Sequence, residues 1–161
     1  MKQTVKYLIF FILISITGLT GCVKNYSKER IIGKWKLERV QCYATGGYLK
    51  FSEPIDYSDK HIIYEFCKNN TLIVTSSISG NSQKKKYSYK CKRDPHPGDP
   101  FWLNIIVEID KETYNGYMST DLERISFSGS IKTKQKIDDA DLDIAEQEDF
   151  QSWTKHFIKL N

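Results

Sequence analysis

Hydrophobic and polar positions alternate with a period of two through most of this chain, as expected for strands that bury one face, not for helices. Gly33 to Val40 sets Trp35 and Leu37 on one side against Lys34, Lys36 and Glu38 on the other. His61 to Cys67 groups Ile62, Tyr64 and Phe66, and Thr71 to Ser76 groups Leu72 and Val74. Between these two runs lies Lys68-Asn69-Asn70, and asparagine tolerates the positive φ that a tight hairpin requires. A β-hairpin is predicted there.

Ser79-Gly80-Asn81-Ser82 predicts a turn, and Lys85 to Cys91 a returning strand with Tyr87 and Tyr89 in phase. Asp94-Pro-His-Pro-Gly-Asp-Pro100 carries three prolines in seven residues, which remove donors and fix φ, so it reads as a stiff loop. Phe101 to Ile109 follows as a long strand with Leu103, Ile105, Val107 and Ile109 in phase. Asn115-Gly116 predicts a turn into Tyr117 to Thr120, and Ile125 to Ile131 gives a further strand with Phe127 in phase. Asp138 to Phe150 is acidic and loosely periodic through Leu142, Ala145 and Phe150, which predicts a short helix before a closing strand from Trp153 to Leu160. About eight strands with short connections predict an all-β fold, an antiparallel up-and-down barrel, with a sandwich as the alternative.

The front of the chain has another character. Lys2 and Lys6 are followed by an apolar run from Tyr7 to Leu19, with Thr20 and Gly21 immediately before Cys22. That is the layout of a secretory signal. The run is shorter than the roughly 20 apolar residues a spanning helix needs, and Ser15, Thr17 and Gly18 interrupt it. Leu19-Thr20-Gly21-Cys22 resembles a bacterial lipobox. The resemblance implies a signal peptide at 1–21, acylation of Cys22, a lipidated tether at 22–30, and one domain at 31–161 held to a membrane by its acyl chains. Val23 and Lys24 follow the cysteine with no aspartate, which favours an outer-membrane address in the cell envelope.

Composition adds two exclusions. The formal charge of +4, from 24 basic and 20 acidic residues, falls to about +2 once Lys2 and Lys6 leave with the signal, too little for a nucleic-acid partner. Aromatic residues at 13% and hydrophobic residues at 40% supply a core, which argues against disorder.

Ile32-Gly33-Lys34-Trp35-Lys36-Leu37 resembles the first-strand GxW signature of lipocalin-like proteins. Tyr64 to Val74 is similar to the next hairpin of the lipocalin-like lipoproteins common in Bacteroidetes, with Asn70-Thr71 standing where Gly-Thr is usual. The resemblance implies a turn beneath the barrel at Gly33, a plug at Trp35, and a barrel able to take a small hydrophobic ligand. An eight-stranded interior is either filled by side chains or holds one small ligand. Trp35, Tyr64, Phe66, Tyr87, Tyr89 and Trp102 are the candidate ligand-binding residues, and each also suits core packing. The competing function is a membrane-displayed protein-interaction module, an inhibitor or assembly partner, with a filled barrel.

With Cys22 acylated, Cys42, Cys67 and Cys91 remain. Alternating strand directions put Cys67 and Cys91 at one end and Cys42 at the other, so a Cys67–Cys91 disulfide is the favoured pairing in an oxidising compartment. A simple register leaves a strand between the two, and a bridge needs Cα atoms within about 7 Å, so three reduced thiols stand beside it.

No catalytic, metal or cofactor site is assigned, and the chain reads as a non-enzyme. Asp94, His96 and Asp99, near Cys91, lack a second histidine and any recognised ligand spacing, and read as a solvated turn. Asp139, Asp141 and Asp143 begin like a calcium loop, but Ile144 and Phe150 break the pattern, leaving an acidic solvated helix face. Ser58, Asp59 and His61 are hydrolase residue types without a nucleophile elbow, and His61 and His156 read as structural. Lys84-Lys85-Lys86 with Lys90, Lys92 and Arg93 makes one hairpin end basic, either a solvated turn or a contact for anionic headgroups or an acidic partner.

Overall fold

A computed structural model of the protein describes residues 26–46, 48–76, 82–93, 102–132, 137–138, 140–145 and 149–161. The leader with Cys22, the turn at 79–81 and the proline loop with Asp94, His96 and Asp99 lie outside them. A one-turn helix, α1 (Tyr26–Ile31), leads into β1 (Gly33–Gly46), β2 (Tyr48–Phe51) and β3 (Ile55–Asp56). Then come β4 (Ile63–Phe66), β5 (Thr71–Ser76), β6 (Gln83–Arg93), β7 (Trp102–Ile109), β8 (Glu112–Ser119) and β9 (Arg124–Ser130). The short helix α2 (Ala140–Ala145) precedes the last strand, β10 (Ser152–Leu160). Among the described residues no helix is long and apolar enough to cross a membrane.

The ladder runs β1-β4-β5-β6-β7-β8-β9-β10, every pair antiparallel, and β10 returns to β1 over Lys34 to Tyr43. Eight strands thus close into an antiparallel barrel, with β2 and β3 hung on the outer stretch of β1. Closure removes the exposed sheet edges that would template association.

Local chemistry explains the turns. Asn70 adopts φ 63° at the β4–β5 turn, as its position in the sequence predicts, and the Cys67 N–H donates to the Thr71 carbonyl at 2.9 Å. Asp110 at φ 52° closes the β7–β8 turn. That placement corrects the turn predicted at Asn115-Gly116, which lies mid-strand in β8. Gly116 is there for packing: a Cβ on it would fall 2.9 Å from the Ile105 side chain and 3.2 Å from the Phe127 ring. At Gly33 the backbone needs glycine, with φ 134° as the chain turns from α1 into β1.

The interior is built from rings. Tyr64 lies 4.8 Å from Phe157, Phe66 5.0 Å from Tyr89, Phe66 5.9 Å from Phe127, and Phe127 5.5 Å from Phe157, each centroid to centroid. All but the tilted Phe66–Phe127 pair meet edge-to-face, and such contacts add about 0.5–1.5 kcal/mol per pair beyond the area they bury. At the end where β1 begins, the buried Trp35 indole N–H donates to the Ile31 carbonyl at 2.7 Å, tying α1 beneath the barrel. At the other end Ile137, Ala140 and Ile144 enter the core, so the segment carrying α2 covers that mouth.

Candidate functional site

Among the described residues, reactive or charged side chains collect at a site sealed inside the barrel and at another on its outer wall. The sealed one forms because Lys155 occupies an inward position of β10, between Trp153 and Phe157 in the alternation. Its Nζ lies 2.8 and 2.9 Å from the two Asp138 carboxylate oxygens and 2.8 Å from Asp141 Oδ1, with the lysine side chain 2% exposed and Asp138 fully covered. The Tyr64 hydroxyl donates to Asp138 Oδ2. Asp141 Oδ2 accepts the N–H groups of Ile137 at 2.7 Å and Asp138 at 3.0 Å.

Burial opposes each of these charges, but partners decide the outcome. Desolvation would lower Lys155, yet the two carboxylates outweigh it and hold its pKa above the ordinary lysine range. Burial would raise Asp141, but Lys155 and the two backbone N–H groups hold it low. Asp138 is raised, because its complete burial exceeds what Lys155 contributes. Tyr64 is pushed well up by burial and then by the neighbouring carboxylates. Among the described residues no buried side-chain nitrogen or oxygen lacks a partner. This cluster pins the α2 segment to β10, and it exposes nothing to a substrate. It corrects the reading of Asp141 as part of a solvated helix face.

The outer site follows from a β-bulge. Leu37 pairs with Phe157 but Arg39, not Glu38, pairs with His156, so one extra residue enters β1. Leu37 and Val40 both stay buried, and Glu38 and Arg39 both reach the outer wall. Across that wall one row of neighbours runs Asn104, Tyr117, Ser126, His156, Arg39 on β7, β8, β9, β10 and β1. Small side chains in the middle of the row make a floor: Ser126 Oγ lies 3.0 Å from His156 Nδ1, and Ser128 Oγ lies 2.8 Å from Thr154 Oγ1. Larger groups, Tyr43, Trp102, Tyr117 and Arg124, stand around it. The resulting cavity holds about 580 Å³, within the ~300–1,000 Å³ of small-molecule clefts.

Its electrostatics are lopsided. Burial and then the Arg39 charge lower the His156 pKa, so the imidazole is neutral at pH 7. Arg39 and Arg124 form no ion pair among the described residues. Two of the nearby carboxylates also serve turns: Asp56, opposite Arg39 in the register, accepts the Ser58 N–H at 2.8 Å through Oδ1, and Asp121 takes the Ser119 hydroxyl and the Glu123 N–H on Oδ1, bonds that together with the Arg124 charge lower its pKa. Two guanidiniums against the single carboxylate of Glu38 leave the cavity with a formal charge of +1.

Of the six candidate ligand-binding residues, Trp102 alone lines this cavity. Tyr64, Phe66 and Tyr89 are buried in mutual ring contacts, Trp35 is buried with its indole N–H on the Ile31 carbonyl, and the part-buried Tyr87 donates its hydroxyl to the Ile137 carbonyl at 3.0 Å. Cys67 and Cys91 are not bridged, which corrects the favoured pairing. Cys67 sits in the β4–β5 turn with its thiol directed to the Glu65 carbonyl at 3.8 Å, while Tyr89 spans to the Cys67 carbonyl at 2.8 Å. Cys91 packs against the core further along β6, where burial pushes its thiol up to about 12. Cys42 is buried, and its thiol is likewise raised by burial.

Ser58, Asp59 and His61 lie on an exposed turn, and Asp59 pairs with Lys60 at 3.5 Å. Lys84, Lys85 and Lys86 are exposed, and Lys90 pairs with Glu108 at 3.2 Å. Asp139 and the Asp143 side chain fall outside the described residues.

The sequence reading missed the floor and the two arginines. Part of this left a trace in the sequence: the apolar positions Trp35, Leu37, Val40 and Cys42 change phase, which marks the bulge, whereas Ser126, Ser128 and Thr154 are brought together only by the register. Comparison with protein-family models, with curated proteins and with solved structures finds no match to this chain.

Proposed function

We propose that this protein is a lipid-anchored cell-envelope binding protein that uses its outer-wall cavity, not its lumen, to hold a small polar ligand. One observation carries this reading: the lumen positions are occupied by rings in mutual contact and by a satisfied ion cluster, whereas the outer cavity presents hydrogen-bonding groups and unpaired cations. The tether rests on the Leu19-to-Cys22 segment. Cys22→Ala is expected to leave an unprocessed or soluble form on membrane fractionation, and unchanged mobility and fractionation would refute the anchor.

The binding reading is tested by a thermal-shift panel of saccharides, amino acids, dipeptides and fatty acids against purified protein and a Ser128→Trp variant that fills the cavity floor. Polar ligands are expected to raise the melting temperature of the parent only. Stabilisation by fatty acids alone, unaffected by Ser128→Trp, would return the site to the lumen.

Display of a protein partner is the second reading, favoured by one feature. Phe51 at 52% and Tyr117 at 46% exposure are large apolar groups beside the same cavity, Phe51 meeting the Tyr43 ring edge-to-face at 5.3 Å.

A further inference from the structure

We infer that the ligand of the outer cavity is an acidic saccharide, a pyranose chain that carries carboxylates. The inference rests on the reading that this cavity is the binding site. The floor is a patch of neutral hydroxyls, Ser126, Ser128 and Thr154, with the neutral imidazole of His156 among them. Such groups both donate and accept, which suits the alternating donors and acceptors of sugar hydroxyls. They offer little to an aliphatic chain, whose burial would strand them without partners.

The walls add flat apolar faces at Trp102, Tyr43 and Tyr117. A side chain with an apolar body and a polar tip fits a ligand that is itself apolar on its ring faces and polar at its edges. Tyr117 stays 46% exposed for a ring of its size, so its face is available.

The cations decide between neutral and acidic sugars. Arg39 comes from β1 and Arg124 from β9, with β10 between them, so they approach the cavity from two sides. Neither guanidinium is in an ion pair among the described residues, so both can turn their paired donors to an incoming anion, although the Arg124 charge is also felt by Asp121. A guanidinium matches a carboxylate through two parallel N–H···O bonds, and two such anchors, two strands across and two residues along the sheet from each other, suit charges repeated along a chain better than one isolated anion. Glu38 faces the same space and repels an anion placed over it, which directs the carboxylates toward the arginines.

Isothermal titration calorimetry of the purified protein tests this with trigalacturonate, its fully methyl-esterified form, neutral galactotriose and inorganic phosphate. Trigalacturonate is expected to bind saturably, the ester and galactotriose at least about tenfold more weakly, and phosphate without saturation at millimolar concentration. Arg39→Gln with Arg124→Gln should remove that tenfold preference, and raising salt from 50 to 300 mM should erode it. Equal affinity for trigalacturonate and galactotriose overturns the acidic part while leaving a saccharide site. Saturable phosphate binding as tight as trigalacturonate overturns the sugar part. No heat from any of the four overturns the inference, and the thermal-shift panel then still judges the cavity itself.

Discussion

The lumen and the outer wall of this barrel are made from the same kinds of residue, rings, hydroxyls and charges, and differ in whether those groups already have partners. Inside, Lys155 meets two carboxylates and Tyr64 donates to one of them. Outside, Arg39 and Arg124 line a cavity with a hydroxyl floor, while Asp56 and Asp121 bond turn N–H groups. A lipocalin-like strand layout would suggest that binding belongs in the lumen. Here the polar groups inside are used up in holding α2 over the mouth, and the bulge at Glu38 moves charge to the outside. Satisfaction, not composition, separates a structural cluster from a binding surface.

The difference breaks most sharply at Lys155. Lys155→Met leaves Asp138 and Asp141 buried without a cation and is expected to cost about 3–5 kcal/mol in urea unfolding. A result under 1 kcal/mol would mean that water reaches the cluster. Gly129 comes next, because a Cβ there would lie 2.6 Å from the Trp153 ring that packs over it. Gly129→Ala should cost about 1–3 kcal/mol by overpacking, read by the same unfolding curves.

How far the sequence foretold this depends on whether a feature is local. Period-two alternation and Asn70 gave the hairpin and the barrel, because pleat and turn chemistry act over a few residues. The Asn115-Gly116 turn failed because glycine serves close packing as readily as turning, and only the facing Ile105 and Phe127 distinguish the two. The ion cluster joins residues 64, 138, 141 and 155, and the outer row joins five strands, so neither could be seen before the register was known.

Alkaline pH provides a milder contrast. Burial raises Tyr89 to about 12, and raises Tyr64 and Tyr114 as well. In the unfolded chain tyrosine ionises near 10, so the unfolded state sheds protons first. This contribution to stability is full below about pH 10 and is lost as pH rises beyond it. Absorbance at 295 nm should show these phenols ionising only together with unfolding, and a smooth titration of all tyrosines near pH 10 in the folded protein would contradict the packed lumen.

The smallest effect belongs to the outer wall. Arg39→Gln with Arg124→Gln should change unfolding free energy by no more than about 0.5 kcal/mol, since neither side chain is paired. A loss above 1 kcal/mol would show that the two arginines serve the fold.

The three tryptophans give the most direct test, since Trp35 and Trp153 are buried in the barrel and Trp102 lines the outer cavity. Protein labelled with 5-fluorotryptophan is titrated by ¹⁹F NMR, first with trigalacturonate and then with the hydrophobic probe N-phenyl-1-naphthylamine. Trigalacturonate is expected to move the Trp102 resonance alone, and the hydrophobic probe to leave Trp35 and Trp153 in place. Movement of Trp35 or Trp153 with a still Trp102 would put the binding site back inside the barrel.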